Sequence, residues 1–199
     1  MLLESTPLLG SAVYQNVVED VIAAYWGDYQ DHSDEFVPAY LSNDILRLWR
    51  TFCVNYEART ERQPEAKKIK RKIKNYTLKF SRMLTCYSAL LYLLAAFDLE
   101  GTVSPASAKA MVTLTPTARL EWLLGRSEFV DAHQSLRDLL DQYEQFLSTK
   151  SDREKLHAAF SDGPSAHELM AKAYAFGDTM FIAVSKIGKE SKLHRLLVV

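Results

Sequence analysis

The sequence predicts an all-α fold, an irregular antiparallel helical bundle with one long central helix. Three observations carry this. Gly and Pro number only 7 and 6 in 199 residues, while Leu, Ala, Lys and Glu are plentiful, which favours helix. Apolar residues step by three and four through most of the chain, the spacing of one helical face. No pair of alternating segments suggests strands, and no internal repeat is present. At this length a single domain, residues 1–199, can bury one sizeable core; a soft boundary near 98–104 would mark two helical halves.

The elements follow from local signals. Ser11 opens a first helix reaching to about His32, with Val13, Val17, Val18, Val21, Ile22 and Tyr25 as its stripe. Pro38 suits the first turn of a second helix, which runs to about Arg59. A third helix, the longest, is expected from about Pro64 to Phe97. Its stripe is Ile69, Ile73, Tyr76, Phe80, Met83, Tyr87, Leu90, Leu91 and Leu94, with no Pro or Gly inside it. Gly101 ends it. Short helices are expected near 105–111 and 116–124, then a longer one at about 127–148 with Phe129, Leu136, Leu139, Leu140, Tyr143, Phe146 and Leu147 inward. A short helix at 152–160 precedes the last, at 165–187, where Ser165 and Glu168 have capping-box spacing. LHRLLVV closes the chain as a short strand or docked tail.

The polar chemistry concentrates in two places. In LSNDILRLWRTFCVNYEAR, residues 41–59, Asn43, Arg47, Arg50, Val54 and Glu57 share one helical face, bordered by Asp44, Thr51 and Asn55. Ile45, Trp49, Phe52, Cys53 and Tyr56 take the other side. The polar strip has two readings. One is an internal ion network, Asp44 with Arg47 and Arg50 with Glu57. The other is a grip on phosphate, which the planar fork of arginine matches. The second concentration, KKIKRKIKNYTLKFSR at 67–82, holds eight of the 24 Lys and Arg residues and no acid, leaving 16 cations against 25 acids elsewhere. Such asymmetry suits either a solvated helix face or a polyanionic or acidic partner. No helix-turn-helix signature or aromatic RNA platform accompanies it, so sequence-specific DNA binding is not expected.

Cys53 and Cys86 both lie in apolar helical patterns and are expected as free thiols in a reducing compartment. The N-terminus is too short and too acidic for a signal peptide. The longest apolar run, ALLYLLAAF, is about half a membrane span. The expectation is a soluble cytoplasmic protein with no membrane partner. Phosphate-loop, dinucleotide, zincin and nucleophile-elbow motifs are absent, and no metal-ligand spacing occurs. Arg126 and His133, two turns apart in RSEFVDAH, are the bare constellation of a metal-independent helical ribonuclease of the toxin–antitoxin kind; an ordinary surface histidine has the same appearance.

FVPAYLSNDILRLWRTFCVNYEAR followed by IKNYTLKFSRML resembles the helical C-terminal region of bacterial nucleotidyltransferase-like proteins of the polymerase-β superfamily, related to the PII-protein uridylyltransferase group. The resemblance extends from MLLESTPLLG through TPTARL and YEQFL to HRLLVV, nearly the whole chain; the second-helix motif is its most specific part. In that family an α/β catalytic domain with a Gly-Ser turn and an Asp-x-Asp metal site precedes the helical region. Here Gly10-Ser11 is present, but no Asp-x-Asp or strand pattern follows. The resemblance therefore implies a helical accessory portion, inactive in nucleotide transfer alone. Magnesium and nucleotide chemistry would belong to the absent domain, leaving no cofactor or metal in this chain. A separate nucleotidyltransferase catalytic domain and a nucleotide are the implied partners. Asn43, Arg47, Arg50 and Asn55, joined by Lys79 and Arg82, are the implied nucleotide- or phosphate-facing residues. The competing readings are the Arg126–His133 ribonuclease and a purely structural protein-interaction module.

Overall fold

The structure, a computed structural model, describes residues 2–60 and 67–198. Every regular element among them is helical: α1 (Ser11–Tyr25), α2 (Ala39–Thr60), α3 (Lys68–Thr77), a π turn (Leu78–Arg82), α4 (Met83–Glu100), α5 (Pro105–Thr113), α6 (Pro116–Leu124), α7 (Val130–Ser151), α8 (Arg153–Ser161), α9 (Gly163–Ile187) and α10 (Lys192–Arg195). From α3 to α4 the helix is continuous, 33 residues from Lys68 to Glu100, the long central helix expected from its stripe. By length and composition it is apolar enough to cross a membrane, and 67% of the window that qualifies is buried within the bundle. Leu84, Cys86, Ala89, Leu91, Leu93, Leu94 and Ala95 are wholly inaccessible. The expected start near Pro64 lies outside the described residues.

Local chemistry sets the boundaries. Gly101 ends α4 at φ 70°, a left-handed conformation in which glycine carries no Cβ penalty. Ser104 and Thr115 cap α5 and α6 by accepting from the Ser107 and Ala118 amides, each just before a proline in the first turn. Four expectations need correction. The first helix stops at Tyr25 rather than His32, and a short 3₁₀ turn follows; Trp26 leaves the helix to donate its indole N–H to the Val103 carbonyl at 2.7 Å. Val13 and Val17 are 67% and 41% exposed, and α1 buries Val18 and Ile22 instead. Leu147 likewise points out of the bundle. The last long helix begins at Gly163, because Asp162 caps it by accepting from the Ser165 amide.

The core gathers around the π turn. Phe80 stacks on Phe146 at 4.6 Å and packs on Phe176 at 4.7 Å, while Tyr76 meets Phe80, Phe146 and Phe160 within 5.1–5.5 Å. Each such pair contributes about 0.5–1.5 kcal/mol beyond area burial. On one flank of the long helix, α2 packs antiparallel, with Trp49 edge-on to Tyr87. On another, α9 follows the same direction as the long helix: Lys79 meets Tyr174 and Met83 meets Gly177. The C-terminal segment forms α10 and then a docked tail rather than a strand.

Candidate functional site

Beyond the π turn toward the N-terminus of the long helix, α3 leans onto α8. Between α2 and this part of the helix lies a cleft of about 500 Å³. Phe52, Asn55, Tyr56 and Arg59 line it from α2, Ile73, Lys74 and Thr77 from α3, and Leu78 and Arg82 from the π turn. Among the described residues, three cations and an amide thus surround a partly apolar wall that no carboxylate lines. Tyr56 spans the back of the cleft, donating its hydroxyl to the Arg71 carbonyl at 3.4 Å. The Arg82 guanidinium lies 4.9 Å over the Phe52 ring and pairs with Glu4. A larger cavity, about 700 Å³ on the opposite side of the π turn, contrasts in charge: among the described residues Asp141 and Glu144 line it, with Lys172 as the one cation.

The six residues singled out from the sequence do not form one constellation. Asn55 and Arg82 meet in the cleft. Lys79 faces another way, its ammonium 4.3 Å over the Tyr174 ring. Its charge opposes the burial that pushes the Cys53 thiol up. Asn43 is occupied by the tail: its amide N–H₂ donates to the Ala39 and Leu196 carbonyls, and its oxygen accepts from the Val198 amide at 2.6 Å. Arg47 pairs with Asp44 at 2.6 Å on the surface, and Asp44 also accepts from the Tyr25 hydroxyl at 2.8 Å. That hydrogen bond, with Arg47, holds Asp44 below the usual carboxylate range despite some burial. Burial first, then Asp44, push the Tyr25 phenol up to about 12. Arg50 is exposed and makes no ion pair among the described residues, with Glu57 or any other. Of the two expected pairs in the strip, therefore, one forms and is solvent-facing.

Arg126 and His133 do come together, through the backbone. The His133 ring shares a 2.9 Å hydrogen bond with the Arg126 carbonyl, while the Arg126 guanidinium lies 3.6 Å over the Trp122 ring. The arginine is thus turned to an aromatic face and away from the histidine. Among the described residues no group of three or more His, Cys, Asp and Glu gathers as a metal site.

Two features escaped the sequence. Arg59 and Lys74 join the cleft; the signal for Arg59 was its position one turn beyond Asn55 on α2. Arg119 is 1% exposed and has no carboxylate partner among the described residues. It donates through Nε to the Met111 carbonyl at 2.8 Å, and through its fork to the Thr85 carbonyl and Ser88 hydroxyl, both at 3.3 Å. Burial pulls its pKa down to about 10. Its signal was an arginine four residues before Leu123 and three before Trp122, on the inward stripe of α6.

Compared with protein-family models, curated proteins and solved structures, the chain has no significant match.

Proposed function

We propose that this chain is a helical accessory module that binds a phosphate-bearing ligand, a nucleotide, in the cleft between α2 and the N-terminal part of the long helix. The observation that carries the reading is the lining: Arg59, Lys74 and Arg82 with Asn55 around the side chains of Phe52 and Tyr56, with no carboxylate among the described lining residues. Cations and an amide suit phosphate oxygens, and charge-assisted hydrogen bonds of this kind are the strong ones. Aromatic side chains offer a base a stacking surface. The volume, about 500 Å³, falls in the range of small-molecule sites. The resemblance of the second-helix motif to nucleotidyltransferase-like proteins points the same way, with chemistry supplied by a separate catalytic domain.

Glu4 is the built-in competitor. It pairs with Arg82 in the free protein, and an incoming phosphate takes its place. The test is calorimetric titration of the chain with nucleoside mono- and triphosphates. Lys74→Gln and Asn55→Ala, both exposed positions, should weaken binding with the fold intact. The loss of one charge-assisted contact at Lys74, roughly 1.5–3 kcal/mol, corresponds to about a tenfold or greater fall in affinity. Lys155→Gln, on α8 and outside the cleft, should leave affinity unchanged. Equal weakening by all three variants, or no binding by the wild type, would remove the cleft as a site.

A further inference from the structure

The basic run on the long helix extends beyond the cleft. Lys67, Lys70 and Lys74 follow at intervals of three and four, so they lie along one line of the helix. All three are exposed, and none has an ion pair among the described residues. Lys74 already lines the cleft, and Arg82 lies on the same wall beyond Leu78. The π turn contributes here. An α-helix rotates about 100° per residue and would carry Arg82 past Leu78 around the axis; the wider π turn rotates less per residue and keeps Arg82 near the line of Lys74 and Leu78. From Lys67 to Arg82 the line is roughly 22 Å long at 1.5 Å per residue, with cations at intervals of about one to two turns. The segment contains no acid, and Lys68 and Lys72 lie to one side of the line.

We infer that this line and the cleft together bind the sugar–phosphate backbone of a single-stranded nucleic acid, one nucleotide of which enters the cleft. The inference rests on the nucleotide reading of the cleft and specifies its ligand. A row of cations fits an anion that itself repeats along a line. The row runs into a cavity with half-buried aromatic rings, Phe52 and Tyr56, and stacking on aromatic side chains is the way proteins hold unpaired bases without regard to sequence. A duplex keeps its bases stacked inside and cannot place one in a cavity of about 500 Å³. An acidic peptide would use the cations but leave the aromatic wall without a matching group.

The test is fluorescence anisotropy of the full chain with labelled oligouridylate and oligothymidylate of about ten nucleotides, followed across salt concentration, beside uridine monophosphate measured by calorimetry. For a single strand, log K falls with log salt with a slope of about −0.7 per phosphate neutralised, so four cations predict a slope near −2.8. Lys67→Gln and Lys70→Gln lie outside the cleft. Each should make the slope shallower by about 0.7 and leave affinity for the monophosphate unchanged; Lys74→Gln should weaken both ligands. Binding of either strand with this pattern supports the inference, and the stronger arm identifies the sugar. Four results overturn it: an oligonucleotide held no tighter than the monophosphate, a duplex of equal length bound as tightly as the strand, polyglutamate competing as well as the strand, or a slope indifferent to Lys67→Gln and Lys70→Gln. If the monophosphate binds and the strand gains nothing, the inference alone fails; if neither binds, the cleft reading fails with it.

Discussion

Replacing Arg119 by methionine should change stability by no more than about 1 kcal/mol, although the residue is 1% exposed and holds three hydrogen bonds. Two effects of similar size oppose each other. Burial lowers the guanidinium pKa from 12.5 to about 10, which corresponds to roughly 3 kcal/mol against the charged form. Removing the charge recovers this. Against it stands the bond from Nε to the Met111 carbonyl at 2.8 Å, worth about 1.5–3 kcal/mol as a charge-assisted bond. The two 3.3 Å contacts add less. Methionine keeps an unbranched apolar stem between α4, α5 and α6, so packing largely survives. Alanine does not: it deletes two buried methylenes, Cγ and Cδ, at roughly 0.8 kcal/mol each and leaves a void, so Arg119→Ala should cost about 2–4 kcal/mol. Urea unfolding monitored by circular dichroism, with an unchanged m value, measures both. The sign with pH is also fixed. A buried cation with a lowered folded pKa penalises the fold while charged, and the penalty lifts as pH rises through the folded value near 10. The wild type should therefore gain stability relative to the methionine variant above that pH. A methionine variant destabilised by more than about 3 kcal/mol would show that the hydrogen bonds outweigh the buried charge and would refute this reasoning.

Three further outcomes follow from the geometry. The double change Arg47→Gln and Arg50→Gln should leave unfolding free energy within about 1 kcal/mol of wild type, since the one ion pair is solvent-exposed; a loss above about 3 kcal/mol in the same urea experiment would indicate a buried network. Asn43→Ala should free the tail by removing its bonds to Leu196 and Val198, seen as faster tryptic cleavage at Arg195 with the bundle intact. Asp44 owes its lowered pKa first to Tyr25 and then to Arg47, so its contribution is present above the ordinary carboxylate value and is lost as pH falls through the lowered one; Asp44→Asn should flatten the stability profile below about pH 4, and an unchanged acid limb would contradict the assignment.

Most of the fold was legible because its punctuation is local. Gly101, Ser104 with Pro105, and Thr115 with Pro116 mark boundaries that the structure keeps almost to the residue. The central stripe from Ile69 to Leu94 marks the long helix. The π turn at Leu78–Arg82 left no trace in the pattern, since its residues continue the same three-and-four spacing and contain no breaker. Lys79 and Arg82, which the resemblance had grouped together, face different neighbours at that turn, Tyr174 and Phe52. In α1 the valines are too evenly spread for the inward side to be chosen by periodicity, and the packing chose Val18 and Ile22. Two residues of the polar strip on α2 are explained by neighbours outside that helix. Asn43 is spent on a tail more than 150 residues later, and Asp44 on Tyr25. Arg59 and Lys74 stand on different helices, α2 and α3, so no spacing within one helix could show that they line the same cleft.

The central claim is that a nucleotide binds between α2 and the basic end of the long helix. Amide chemical-shift mapping on the isotopically labelled chain, titrated with a nucleoside triphosphate, tests it most directly. The account predicts saturable shifts concentrated at residues 52–59 and 73–82, with Glu4 perturbed as it releases Arg82. Shifts confined to the cavity around Asp141 and Glu144, shifts centred on Arg126 and His133, or none at saturating nucleotide would contradict it.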